Sequence, residues 1–230
     1  LAPEGAICAG AFTQSLTRAA CIDLCCDRLQ ANSGSARAVL INSGQANAFT
    51  GDRGLIDSLR ATRALADLLQ LKEEEVLIAS TGIIGVPIPM QKMFSTLHLL
   101  VDSLSTEGGT DAAKAILTTD LVEKQIAFEA DLGGRKVRIG GMAKGSGMIH
   151  PDMATMLGYI TCDAGLPYEE WNLMVQRAVE CSFNAITVDG DTSTNDMVLG
   201  FASGELLDAK YMESLEVGLI TVMQYLSKAI

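Results

Sequence analysis

The residues best placed to do chemistry are Met153-Ala154-Thr155-Met156-Leu157, directly after the glycine-containing approach Lys144-Gly145-Ser146-Gly147-Met148-Ile149-His150-Pro151-Asp152. A threonine hydroxyl is a poor nucleophile unless a base stands beside it. One solution is to make the threonine an N-terminus, so that its own α-amine is the base. A small residue before a threonine, after glycines, is what self-cleavage to such a terminus would look like. Ala154–Thr155 is therefore a candidate junction and Thr155 a candidate nucleophile for acyl transfer. Taken alone, the same pair is equally the start of a helix or strand with a cap threonine, and on local residues that plainer reading is favoured.

Other residues bear on the same chemistry. Thr81-Gly82 closes an apolar run, where a glycine allows close backbone approach and, with the Thr81 hydroxyl, offers two donors suited to an oxyanion. A simple turn at a strand end accounts for it as well. Lys144, eleven residues before Thr155, has the charge to hold a substrate carboxylate, although a loop lysine is by default solvated. Asp189, Asp191, Asn195 and Asp196 crowd oxygen-bearing side chains into one polar loop. That is either a Mg²⁺ or Ca²⁺ site or a turn whose side chains satisfy backbone N–H groups; the turn is favoured, and a third option is that the loop braces the catalytic terminus from behind. His150 reads as an ordinary, partly exposed histidine. The segment from Gly140 to Ser146 has neither the spacing of a P-loop nor that of a dinucleotide fingerprint.

The elements that must position these residues are legible from periodicity. Strands are expected near 7–12, 38–42, 75–79 and 156–161, with a further apolar run at 197–201. Helices are expected over 17–30, 52–70, 90–103, 109–117, 168–181 and 209–229. A hairpin around Gly133-Gly134 joins 124–131 to 136–140, and 140–147 reads as a glycine-rich loop. Strands and helices mix without strict alternation. The expected class is mixed α/β, a layered α+β sandwich of sheets flanked by helices.

Composition narrows the function. A net charge of −11 and 5% aromatic residues argue against nucleic acid or an anionic membrane as the partner. No apolar run approaches the ~20 residues of a membrane span, no signal peptide is visible, and the start at Leu1 reads as a trimmed one. The six cysteines include no C-x-x-C pair and there are only two histidines, so no metal is expected. Cys21, Cys25 and Cys26 fall at helical spacing as small hydrophobes, which fits a reducing, cytoplasmic compartment.

Taken together the motifs are more specific than any one of them. The run from Lys144 to Gly158 resembles the self-cleavage region of the ornithine acetyltransferase family, the bifunctional glutamate N-acetyltransferases of arginine biosynthesis. Ile41 to Ala48, Ser80 to Gly85, Thr118-Thr119-Asp120 and Ser182 to Asp196 resemble the family's other motifs, in the same order. The resemblance implies an α-chain-like region over 1–154 and the first part of a β-chain-like region over 155–230, intertwined in one main domain. It implies that Thr155, freed by cleavage after Ala154, carries the acetyl group from N2-acetylornithine to glutamate in a ping-pong cycle. Thr81 and Gly82 would form the oxyanion hole, and Thr118 (or Thr119) and Lys144, with Thr155, would contact substrate. No cofactor is implied, acetyl-CoA being an alternative donor in some members, and the cleaved chains would assemble as an α/β heterotetramer. Family members continue beyond Ile230, where further substrate residues lie, and many carry Asn where this chain has Ser15 and Asp152. Two other readings stand beside this one: an amidase that releases acetate to water, and an uncleaved binding or assembly subunit.

Overall fold

The computed structural model describes residues 1–148 and 156–230. Eight strands and six α-helices are described in chain order: β1 (Ala6–Phe12), α1 (Ala20–Ala31), β2 (Ser35–Ala36), β3 (Ala38–Gln45), α2 (Asp52–Leu69), β4 (Val76–Ile83), α3 (Met90–Asp102), α4 (Gly109–Ala115), β5 (Lys124–Leu132), β6 (Arg135–Lys144), β7 (Leu157–Cys162), α5 (Tyr168–Glu180), β8 (Met197–Ala202) and α6 (Met212–Ala229). Six strands form one sheet in the order β2-β1-β8-β7-β6-β5, while β3 and β4 form a separate two-stranded sheet. Neighbours in the large sheet run antiparallel except β7 and β8, which are parallel.

Alternation along the strands decides what each face of the large sheet meets. Cys8, Leu157, Tyr159, Met197 and Leu199 point to one side, into a core shared with β3, β4 and helices α1 to α3. Ala9, Ala11, Ile160, Cys162, Val198 and Ala202 point to the other, against α5 and α6. On that second side small residues admit the helices. A Cβ on Gly200 would lie 2.9 Å from Val175 Cγ2, and one on Gly141 would lie 2.8 Å from Leu226 Cδ1. Trp171 is fully buried there, and its indole N–H donates to the Gly200 carbonyl at 2.8 Å. The fold is thus a mixed, layered α/β arrangement.

Two expectations are corrected. The stretch from Gly140 is no loop until after Lys144, because its first five residues complete β6 and pair with β7. The last helix starts at Met212, after a short 3₁₀ turn over Ala209–Tyr211. Residues from the two sides of the candidate junction interleave, since β7 and β8 lie between β1 and β6. All six cysteines are free thiols. Cys21 and Cys25 are buried on the inner side of α1, and burial pushes the Cys21 thiol up to about 11. Among the described residues no helix is long and apolar enough to cross a membrane.

Candidate active site

The ends of β3 and β4 set the first part of the site. Their parallel register puts Asn42 beside Ser80, Ser43 beside Thr81 and Gly44 beside Gly82. The Ser80 hydroxyl donates to Asn42 Oδ1 at 2.7 Å and ties the strands together at this end. Gly82 has φ +125°, and a Cβ there would stand 2.3 Å from the Gly44 carbonyl carbon. The close pairing of the two strands therefore requires glycine. Thr81 is buried, whereas Gly82 is exposed.

Lys144 ends β6 and reaches this corner. It is 3% exposed, not the solvated loop cation that composition suggests by default. Its ammonium donates to Thr81 Oγ1 at 3.2 Å and to Thr118 Oγ1 at 2.9 Å. An ammonium has no lone pair, so both hydroxyl oxygens accept and both hydroxyl hydrogens remain to be donated elsewhere. Burial pushes the Lys144 pKa below the usual lysine value; the charges of Asp120 and Asp196 oppose that shift and Lys124 adds to it. Of the two threonines left open, Thr118 shares Lys144 with Thr81, while Thr119 Oγ1 lies 2.6 Å from Ser146 Oγ.

Behind Lys144 stands an ion pair that sequence reasoning missed. Asp120 Oδ1 accepts from Lys124 Nζ at 2.7 Å and from the Gly145 N–H at 2.7 Å, while Oδ2 takes the Thr118 N–H at 3.4 Å. Burial alone would raise the Asp120 carboxyl. Lys124 and these N–H groups outweigh it and hold the pKa below the usual value. The carboxylate thereby fixes the backbone at Thr118 and directly after Lys144. The one signal in the sequence was an aspartate directly after Thr118-Thr119, a residue type that closes turns through backbone N–H groups.

The polar loop from Asp189 supplies the third part. Asp189 accepts from the Met148 and Asp191 N–H groups. Asn195, buried, donates from Nδ2 to the carbonyls of Ala46 at 2.6 Å and Ser80 at 2.8 Å. Asp196 Oδ1 accepts from the Met156 N–H at 2.9 Å. These side chains serve backbone groups, Asp191 is exposed whereas Asp196 is buried, and among the described residues no group of three His, Cys, Asp or Glu could hold a metal ion. Ala154, Thr155 and His150 lie outside the described residues. Their described neighbours in the chain, Met148 and Met156, are both held by this loop.

The structure therefore brings Thr81, Gly82, Thr118 and Lys144 together from two strands, β4 and β6, and a turn. A cavity of about 520 Å³ lined by Val39, Leu69, Leu100, Ile116 and Tyr159 contains none of these four. Chemically, a buried cation between two hydroxyls suits a carboxylate or a developing oxyanion.

The model of the ArgJ family matches residues 1–230. The arginine biosynthesis bifunctional protein ArgJ of Prochlorococcus marinus (strain MIT 9313) is 67% identical over 230 residues, which are 100% of this chain and 54% of that protein. That of Parasynechococcus marenigrum (strain WH8102) is 68% identical, with 56% of its length covered. The chain spans about half the length of the curated relatives it matches. Among solved structures, ornithine acetyltransferase from Mycobacterium tuberculosis, complexed with ornithine, superposes with a TM-score of 0.53 and 35% identity over 61% of this chain and 74% of that one.

Proposed function

The chain belongs to the ArgJ family, and from that premise we propose that it carries the acetyl-transfer centre of a glutamate N-acetyltransferase of the ornithine acetyltransferase type. Thr155 Oγ attacks the Ala154 carbonyl, the Ala154–Thr155 C–N bond breaks to leave an ester, and water releases Thr155 as an N-terminus. In turnover the same hydroxyl attacks the acetyl carbonyl of N2-acetylornithine, with the freed α-amine as base, and ornithine leaves. Glutamate's amine then takes the acetyl group from Thr155. The Thr81 hydroxyl and Gly82 N–H stabilise the oxyanion of each step, and Lys144 with Thr118 holds the α-carboxylate that both amino acids share. Acetyl-CoA is the alternative donor to be tested, and the cleaved chains form an α/β heterotetramer in the cytoplasm.

The observation that carries this reading is the Lys144 ammonium, buried at the end of β6 and donating to both Thr81 and Thr118. It converges, in a family member, the residues that the motifs assign to oxyanion and carboxylate. Intact mass of the purified protein tests it. Two fragments meeting at Ala154/Thr155, one gaining an acetyl group with N2-acetylornithine and losing it to glutamate, are expected. Thr155→Ala should give one uncleaved chain. Acetate release without glutamate would favour the amidase, and an intact wild-type chain the binding subunit.

A further inference from the structure

Asp196 directly precedes β8 and is fully buried, yet among the described residues only one of its oxygens is in use. Oδ1 accepts from the Met156 N–H at 2.9 Å, whereas Oδ2 is buried and has no hydrogen-bond partner among the described residues. Leaving a buried polar atom unpaired costs roughly 1–3 kcal/mol, so a native fold that does so calls for a reason. The Met156 N–H belongs to the planar peptide unit that joins it to Thr155. By covalent geometry alone the Thr155 nitrogen lies within about 4 Å of the Met156 nitrogen. An idle carboxyl oxygen is therefore anchored one residue from the nitrogen that cleavage after Ala154 would release.

We propose that Asp196 is the acid–base partner of the Thr155 nitrogen, fixed in place through the Met156 N–H; this rests on the acetyl-transfer reading above. In cleavage, Thr155 Oγ bonds to the Ala154 carbonyl carbon and the C–N bond to Thr155 breaks. The departing nitrogen takes a proton from the Asp196 carboxyl, and the Thr155 hydroxyl proton goes to the resulting carboxylate. The carboxyl group leaves the step as it entered, and no further reactant is needed. After ester hydrolysis the same carboxyl is the partner of the new α-amine.

The surroundings of Asp196 suit a group that carries its proton near neutrality. Burial pushes its pKa up to about 8, against the Met156 N–H, the nearby Ser193 hydroxyl and the Lys144 ammonium, which lower it. Lys144, at the end of β6, is the charged group that acts on it, with Asp120 and Lys124 behind. From α1, Cys21 reaches Asn195 Nδ2, and burial keeps that thiol neutral. The Thr13 N–H, after β1, takes the Asp196 carbonyl at 3.0 Å.

The test follows cleavage of the newly synthesised chain by intact mass over a range of pH. The wild-type rate is expected to fall as pH rises past about 8. Asp196→Asn should cleave roughly 100-fold more slowly and lose that dependence. Asp196→Glu keeps an acid at the position and should retain the dependence at a reduced rate, which also decides the matter if the Asn variant does not fold. Wild-type rate and pH profile in Asp196→Asn would overturn the proposal, as would a slowed variant that keeps the wild-type profile. If the wild-type chain cleaves at no pH, the acetyl-transfer reading fails and this proposal fails with it.

Discussion

Asp120 with Lys124, and Asp196 with Lys144, are two sets of buried charges resolved in opposite ways. In the first, carboxylate and ammonium meet at 2.7 Å, and both carboxylate oxygens also take backbone N–H groups. In the second, the lysine is held by two neutral hydroxyls, while the carboxyl keeps one N–H and, among the described residues, one oxygen without a partner. The electrostatics diverge accordingly. Asp120 is held below the usual carboxylate range, whereas Asp196 is raised to about 8 and Lys144 is lowered. A matched pair fixes charge and geometry together. An unmatched set leaves both groups closer to changing protonation, which is what handling an oxyanion and a released amine requires.

The sharpest way to break the contrast is Asp120→Ala. It strips the partner from Lys124, whose side chain is 5% exposed, and frees the Gly145 and Thr118 N–H groups. Removing one partner of a buried pair leaves an uncompensated charge, and a loss of about 3 kcal/mol is expected in chemical denaturation. A change below about 1 kcal/mol would mean that Lys124 relaxes to solvent and that the pair is no brace.

The second effect is one of pH. Asp196 has a folded pKa near 8, above its unfolded value near 3.8. Between those values the folded state holds a proton that the unfolded state has lost. Its contribution to stability is therefore complete below the unfolded pKa and is lost as pH rises through the folded one. The stability of Asp196→Asn relative to wild type should rise across that window, by on the order of 1 kcal/mol per pH unit. Parallel curves for the two proteins would show that Asp196 is ionised throughout and that the asymmetry with Asp120 is only geometric.

Much of this was legible because it is local. The alternation in β1, β7 and β8, the helical faces of α2 and α5, and the Ser80-Thr81-Gly82 strand end follow from spacing and residue type. Gly140 and Gly141 misled because glycine punctuates loops; here Gly141 is small so that α6 can pack against β6 through Val222 and Leu226. Asp196 was legible as a polar turn residue but not as a buried acid. Its burial comes from the parallel register of β7 and β8, which sets Met197 opposite Leu157, a pairing forty residues apart that no local pattern records. Lys144 was legible as a cation of interest through the motif resemblance, but its burial depended on β6 running on through the glycines.

The smallest expected change in stability belongs to Lys144→Met, and it is the most discriminating. Methionine replaces the lysine stem with an unbranched apolar chain and removes a desolvated charge that has no direct carboxylate partner among the described residues. The Thr81 and Thr118 hydroxyls lose a donor but keep their own hydrogens to give, so neither is stranded as an acceptor that must be filled. Replacing a buried charge with a packed apolar group is often neutral or mildly stabilising. The melting temperature is therefore expected to match wild type to within the shift that about 1 kcal/mol produces, while acetylation of Thr155 by N2-acetylornithine falls on the order of 100-fold. A destabilisation as large as that of Asp120→Ala would place Lys144 with the structural pair and erase the distinction between the two sets of charges. A stable variant with full acetylation would leave the buried ammonium without a function in acyl transfer.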